Sequence, residues 1–132
     1  MLFKFKLYSL FIIYLHKQNG LATKEEVSHF LKQLKSVKSA GQLSFISRPV
    51  NTQTLLDLEI TPREREVYID KLVVEDYSEG PLDNDQYGRS PMWVFGKTIK
   101  DKEIYIKITI SELSVICISF HTSQYSMNYT LK

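Results

Sequence analysis

Between Glu103 and His121 the chain alternates apolar and polar positions. Ile104, Ile106, Ile108 and Ile110 share one side, and Tyr105, Lys107 and Thr109 the other. That is the period of a half-buried strand, and the β-branched isoleucines suit one. A second run puts Ile116, Ile118 and Phe120 on one face and Cys117, Ser119 and His121 on the other. If both apolar faces share a core, the runs form an antiparallel hairpin that turns between Ser111 and Val115. The register that aligns these faces pairs Ile110 with Ile116 and Ile106 with Phe120. It sets Tyr105 opposite His121, and directly opposed side chains lie roughly 5 Å apart at Cβ. A slip by one residue would bury Tyr105 and His121 and expose the isoleucines, so the register is strongly specified.

Upstream the period changes. Thr23-Lys-Glu-Glu26 forms a capping box, and behind it Val27, Phe30, Leu31, Leu34 and Val37 follow helical spacing until Gly41 stops the helix. Lys32, Lys35 and Lys38 line its other side and read as a solvated face. Leu43–Ile46 is a short strand candidate ended by Arg48-Pro49, and Asn51–Leu58 reads as a short helix. Thr61-Pro62-Arg63-Glu64 opens another helix with a cap and proline at its first position, although Val67, Ile69 and Leu72 make no clean stripe. Val73–Asp85 reads as a polar bend. Its carboxylates Asp76, Glu79, Asp83 and Asp85 fit no calcium-loop spacing, so a solvated turn is expected. Met92–Lys97 is a strand that joins the hairpin through a turn at Lys100-Asp101. Trp93, Phe95 and Lys97 share one of its sides and Met92 and Val94 the other, and the pattern does not say which is buried. Helix, strand, helices and then antiparallel strands predict an α+β domain with the helices on one sheet face.

Composition narrows this little. A chain of 132 residues with 24% charged side chains is one domain with a core of its own. A net charge of +2 permits contact with RNA phosphates without demanding it. Cys117 is the only cysteine, so an intrachain disulfide is excluded, and it reads as a small buried hydrophobe. Residues 1–20 have a basic start, an apolar run from Leu7 to Leu15, and a Gly20-x-Ala22 pattern. That layout is shared by signal peptides, but His16 and Lys17 beside the supposed cleavage site count against secretion. The stretch is read as an apolar N-terminal extension to a single domain over 21–132. The run is short for a bilayer-spanning helix, and a cytoplasmic location with no membrane partner is expected. The tail from Gln124 carries Tyr125 and Tyr129, and its Asn128-Tyr129-Thr130 sequon matters only to a secreted protein.

The open sheet face would show Tyr105, Lys107, Ser119 and His121, with Lys97 a possible neighbour on the adjoining strand. Histidine side chains pass protons near neutral pH, lysines neutralise phosphates, and tyrosine donates to a phosphate or stacks on a base. No metal-ligand set, phosphate-cradling glycine loop or Ser-His-Asp triplet is visible, so no cofactor is expected. RNA cleavage needs a base for the 2′-hydroxyl, an acid for the leaving oxygen and cations for the phosphorane.

The segments Lys38-Ser-Ala-Gly-Gln42, Val74-Glu-Asp-Tyr77, Trp93-Val-Phe-Gly-Lys97, Tyr105-Ile-Lys-Ile-Thr-Ile110 and Cys117-Ile-Ser-Phe-His121, together with the two capped helices, resemble the MqsR family of bacterial toxins over about residues 24–129. The resemblance implies a RelE-like fold and a type II toxin: a metal-independent endoribonuclease that cuts mRNA by 2′-hydroxyl attack, with a cognate antitoxin as partner and the ribosome as a further possible one. A family active-site tyrosine falls on Tyr105 and a family lysine on His121. A second family lysine falls near Glu79, and a family glutamine on Val94, whose side chain makes no hydrogen bond. His121, Tyr105, Lys97, Lys107 and Glu79 are therefore the candidate catalytic residues. Lys97 and Lys107 would supply charge, Tyr105 would orient the substrate, and Glu79 and His121 would serve as base and acid. The alternative is a non-catalytic module of the same fold that binds the antitoxin or RNA.

Overall fold

The capping box opens a helix as expected. Thr23 Oγ1 accepts from the Glu26 amide at 3.1 Å, and the Glu26 carboxylate accepts from the Thr23 amide at 3.3 Å. The structure, a computed structural model, describes residues 21–132. The apolar extension 1–20 lies outside the described residues. Helix α1 spans Lys24–Ala40 and buries Val27, Phe30, Leu31 and Leu34. Gly41 ends it where a Cβ would meet the Leu113 carbonyl oxygen, so the helix end and the last hairpin turn meet only with glycine in that place. Strand β1 (Gln42–Phe45) follows, then α2 (Pro49–Leu58), α3 (Pro62–Asp70) and a short 3₁₀ turn at Val74–Asp76. Four further strands complete the chain: β2 (Tyr77–Leu82), β3 (Met92–Ile99), β4 (Lys102–Ser111) and β5 (Ser114–Thr122).

The sheet has five strands in the order β1-β5-β4-β3-β2. Its last four strands pair antiparallel, three of them as expected, but β1 runs parallel to β5, so the sheet is mixed rather than antiparallel throughout. The parallel pair arises because α2 and α3 intervene between β1 and the hairpins, which gives the chain room to cross over. The polar bend expected over Val73–Asp85 is corrected: Tyr77–Leu82 pairs with β3 as an edge strand, where Gly80 and Pro81 are tolerated. Lys100 and Asp101 both take left-handed φ, at 49° and 69°, which gives the tight β3–β4 turn. Lys100 Nζ then donates to the Leu58 carbonyl at 2.8 Å at the end of α2.

One core lies between the helices and one sheet face. Phe95, Ile104, Ile106, Ile108, Ile110, Val115, Cys117 and Phe120 meet the buried side chains of α1 together with Leu58, Ile69, Leu72 and Tyr77. Phe30 stacks on Trp93 with ring centroids 4.9 Å apart. The buried side of β3 is therefore the one carrying Trp93 and Phe95.

The β4–β5 register keeps Ile106 opposite Phe120 and Tyr105 opposite His121. Beyond that it departs from strict alternation. Lys107 pairs with Ser119 but Ile108 with Cys117, so Ile118 is an extra residue in a β-bulge. The bulge turns Cys117 and Val115 into the core and sets Ile110 opposite Val115, not Ile116. Cys117 thus lies on the opposite face from His121, and burial pushes its thiol up to about 12.

Tyr77 is fully buried and donates to the Gly80 carbonyl at 2.6 Å. Burial foremost, with Glu26 and Glu79 nearby, pushes its phenol from 10.0 up to about 12. A phenol harder to ionise folded than unfolded stabilises the fold fully below pH 10, and the contribution fades as pH rises through 12. Across that window the wild type should lose about 2–3 kcal/mol more stability than Tyr77→Phe, read from urea midpoints. Parallel losses in both proteins would refute this.

Candidate functional site

The bulge leaves the rows on either side of Phe95–Ile106–Phe120 facing away from the helices. One row is Val94, Lys107 and Ser119; the other is Gly96, Tyr105 and His121. Tyr105 and His121 stack with centroids 5.3 Å apart and planes 16° from parallel. Lys107 Nζ lies 5.7 Å from the Tyr105 ring centroid, within cation–π range. These side chains line a cleft of about 710 Å³, together with Glu79 from β2 and Arg48 from the start of α2.

Each group is held for a local reason. His121 Nδ1 lies 3.0 Å from the Thr122 carbonyl oxygen. A carbonyl only accepts, so this contact needs the proton on Nδ1 and leaves Nε2 as the ring atom open to a substrate. Burial, and then the Glu79 carboxylate, push the Tyr105 phenol above its usual value, so Tyr105 is a hydrogen-bond donor at neutral pH. Arg48 donates weakly to Ser119 Oγ at 3.4 Å. Its position is set by Asn51, a buried side chain with three bonds: its amide donates to the Ile46 and Ile118 carbonyls, and its oxygen accepts from the Phe120 amide, each at 3.1 Å. Asn51 thereby ties the start of α2 to the bulge of β5.

The C-terminal tail forms the remaining wall. Tyr129 donates to Glu103 at 2.7 Å, and the other Glu103 oxygen accepts from the Met127 amide at 3.0 Å. Tyr129 lies over Gly96, where a Cβ would sit 2.2 Å from its hydroxyl oxygen. Burial foremost, with Glu103 beside it, raises the Tyr129 phenol, which keeps it a donor.

The structure brings four of the expected residues together: Tyr105, His121, Lys107 and Glu79. It does not bring Lys97 to them. Lys97 is in line with Phe95 on the helix side of the sheet, where its Nζ pairs with Asp76 at 3.1 Å and donates to the Lys71 carbonyl at 3.3 Å. The reason is the alternation of β3: with Phe95 in the core, Lys97 must face the same way. Val94 is fully buried beside Lys107. Arg48, Asn51 and the tail wall escaped the sequence reading. Arg48 carried no signal beyond ending a strand, because the contact to Ser119 spans 71 residues.

No family model, curated protein or solved structure matches the chain.

Proposed function

We propose that this chain is an mRNA-cleaving toxin of a type II toxin–antitoxin pair, acting in the cytoplasm and held in check by a cognate antitoxin. The observation that supports it is the Tyr105–His121 stack, half-buried on the sheet face away from the core, with Lys107, Arg48 and Glu79 lining the same cleft. In the proposed step Glu79 takes the proton of a ribose 2′-hydroxyl and the 2′-oxygen attacks the adjacent phosphorus. The bond from phosphorus to the 5′-oxygen breaks, and His121, acting as the doubly protonated imidazolium with its Nδ1–H on the Thr122 carbonyl, delivers its Nε2 proton to that oxygen and is left neutral. The products are a 2′,3′-cyclic phosphate and a 5′-hydroxyl. Tyr105 donates to a phosphate oxygen, and Lys107 offsets the charge of the phosphorane. Lys97, turned to the helix face, has no part in this step.

A second reading keeps the fold and drops the chemistry, leaving a module that binds RNA or the antitoxin. It is favoured by the withdrawal of Lys97 and the burial of Val94. One experiment separates the two. Expression of the chain alone in bacteria should arrest growth, and primer extension should show discrete new RNA ends. Harmless expression with intact transcripts would remove the enzyme reading and leave the module.

A further inference from the structure

A second hollow adjoins the cleft. It measures about 480 Å³ and is walled by the loop between β2 and β3, with Tyr87 half-buried in it, and floored by Met92 and Ile118. Arg48 and Lys107 line both hollows. They stand as a cationic ridge between them: Lys107 is opposite Ser119 in the ladder, and the Arg48 guanidinium rests on the Ser119 hydroxyl. The wall of the second hollow is built rather than loose. Asn84 is buried, donates to the Tyr87 and Ser90 carbonyls at 3.0 and 2.9 Å, and accepts from the Gln86 and Tyr87 amides. Thr109 donates to the Ser90 and Pro91 carbonyls and fixes the far end of the loop.

We infer that a single RNA strand crosses this ridge, with Arg48 and Lys107 gripping the phosphate between two nucleotides. One nucleotide occupies the Tyr105–His121 cleft, and the base of its neighbour enters the second hollow beside Tyr87. The chemistry divides accordingly. A guanidinium and an ammonium side by side suit a phosphodiester, the guanidinium by a forked pair of donors. A hollow with an aromatic wall and an apolar floor suits the face of a base. The Asp85 carboxylate in its lining disfavours a phosphate there, so the hollow takes a base and the ridge takes the backbone. The inference takes its ligand from the nuclease reading, but the grip does not require that the RNA be cut.

The test uses the full chain and a 2′-O-methyl oligoribonucleotide, which the proposed chemistry cannot cleave, with binding followed by anisotropy over a salt series. Arg48→Ala should weaken binding about 10-fold near 0.1 M salt and lower the log–log salt slope by about 0.7, one phosphate contact on a single strand. Arg48→Lys should restore most of the slope but not all of the affinity. Tyr87→Ala should weaken binding about 10-fold and leave the slope alone, because a stack carries no counterion. Lys35→Ala, on the exposed face of α1, should change neither. A wild-type slope in Arg48→Ala, or a fall in slope as large in Lys35→Ala, would overturn the grip. Full affinity in Tyr87→Ala would remove the second hollow from the RNA path. A wild type that binds with an Arg48-dependent slope but never cuts RNA would uphold the grip and end the nuclease reading. A wild type that binds no oligonucleotide would end the grip, while the nuclease reading would be decided separately by cleavage of an all-ribose strand.

Discussion

His121→Ala is expected to slow RNA cleavage by about 10²–10⁴-fold while the fold stays intact. A positioned acid or base typically contributes that much to a proton-transfer step. The fold should not notice the loss. His121 is half-buried at the end of β5, and its polar contact is with the carbonyl of the next residue. The neighbouring Tyr105→Phe keeps an aromatic ring for the stack and removes one donor, so a loss of about 10²-fold is expected. Thermal unfolding of both variants should match the wild type, and antitoxin binding should survive in both. Cleavage by His121→Ala at the wild-type rate would dismiss the imidazole from the chemistry, whatever the merits of the cleft.

Asn51→Ala is expected to destabilise the chain by about 3 kcal/mol in urea unfolding. The side chain is 3% exposed and makes three bonds to the backbone of other segments. Its removal strands the Phe120 amide and the Ile118 carbonyl in the interior, and a buried polar group left without its partner costs about 1–3 kcal/mol. The geometry also makes a sharper demand. Asn51→Asp keeps the acceptor for the Phe120 amide but points an oxygen at the Ile46 and Ile118 carbonyls. It should therefore be no better than alanine. A loss below about 1 kcal/mol in either variant would mean that the bulge holds itself. Because the same side chain sets Arg48 over Ser119, the folded fraction of Asn51→Ala should also bind RNA more weakly than the wild type.

What was legible in the chain followed from strict patterns. The capping box and the spacing from Val27 to Leu34 delimit α1, and the alternation of isoleucines from Ile104 to Ile110 identifies β4 and its faces. That alternation sufficed to place Tyr105 opposite His121. The neighbouring register was harder, because Val115, Ile116, Cys117 and Ile118 are apolar without a break and offer either face to the core. The choice falls to Asn51, which binds the Ile118 carbonyl from 67 residues away, and no local pattern carries that information. The same ambiguity hid the orientation of Lys97, since both sides of β3 are apolar until Phe95 is seen against Phe30. Strand β2 was concealed by its own glycine, proline and polar residues, which an edge position accommodates. Among the described residues no helix is long and apolar enough to cross a membrane.

The proposal turns on a ribose hydroxyl attacking its own phosphate beside the Tyr105–His121 stack. The most direct test gives the purified chain two oligoribonucleotides that differ by a single 2′-deoxyribose at the cut site, and maps the termini. The expected result is a 5′-hydroxyl and a 2′,3′-cyclic phosphate from the all-ribose strand, and no cut at that position in its deoxy partner. Undiminished cutting of the deoxy strand, or termini carrying a 5′-phosphate, would contradict it.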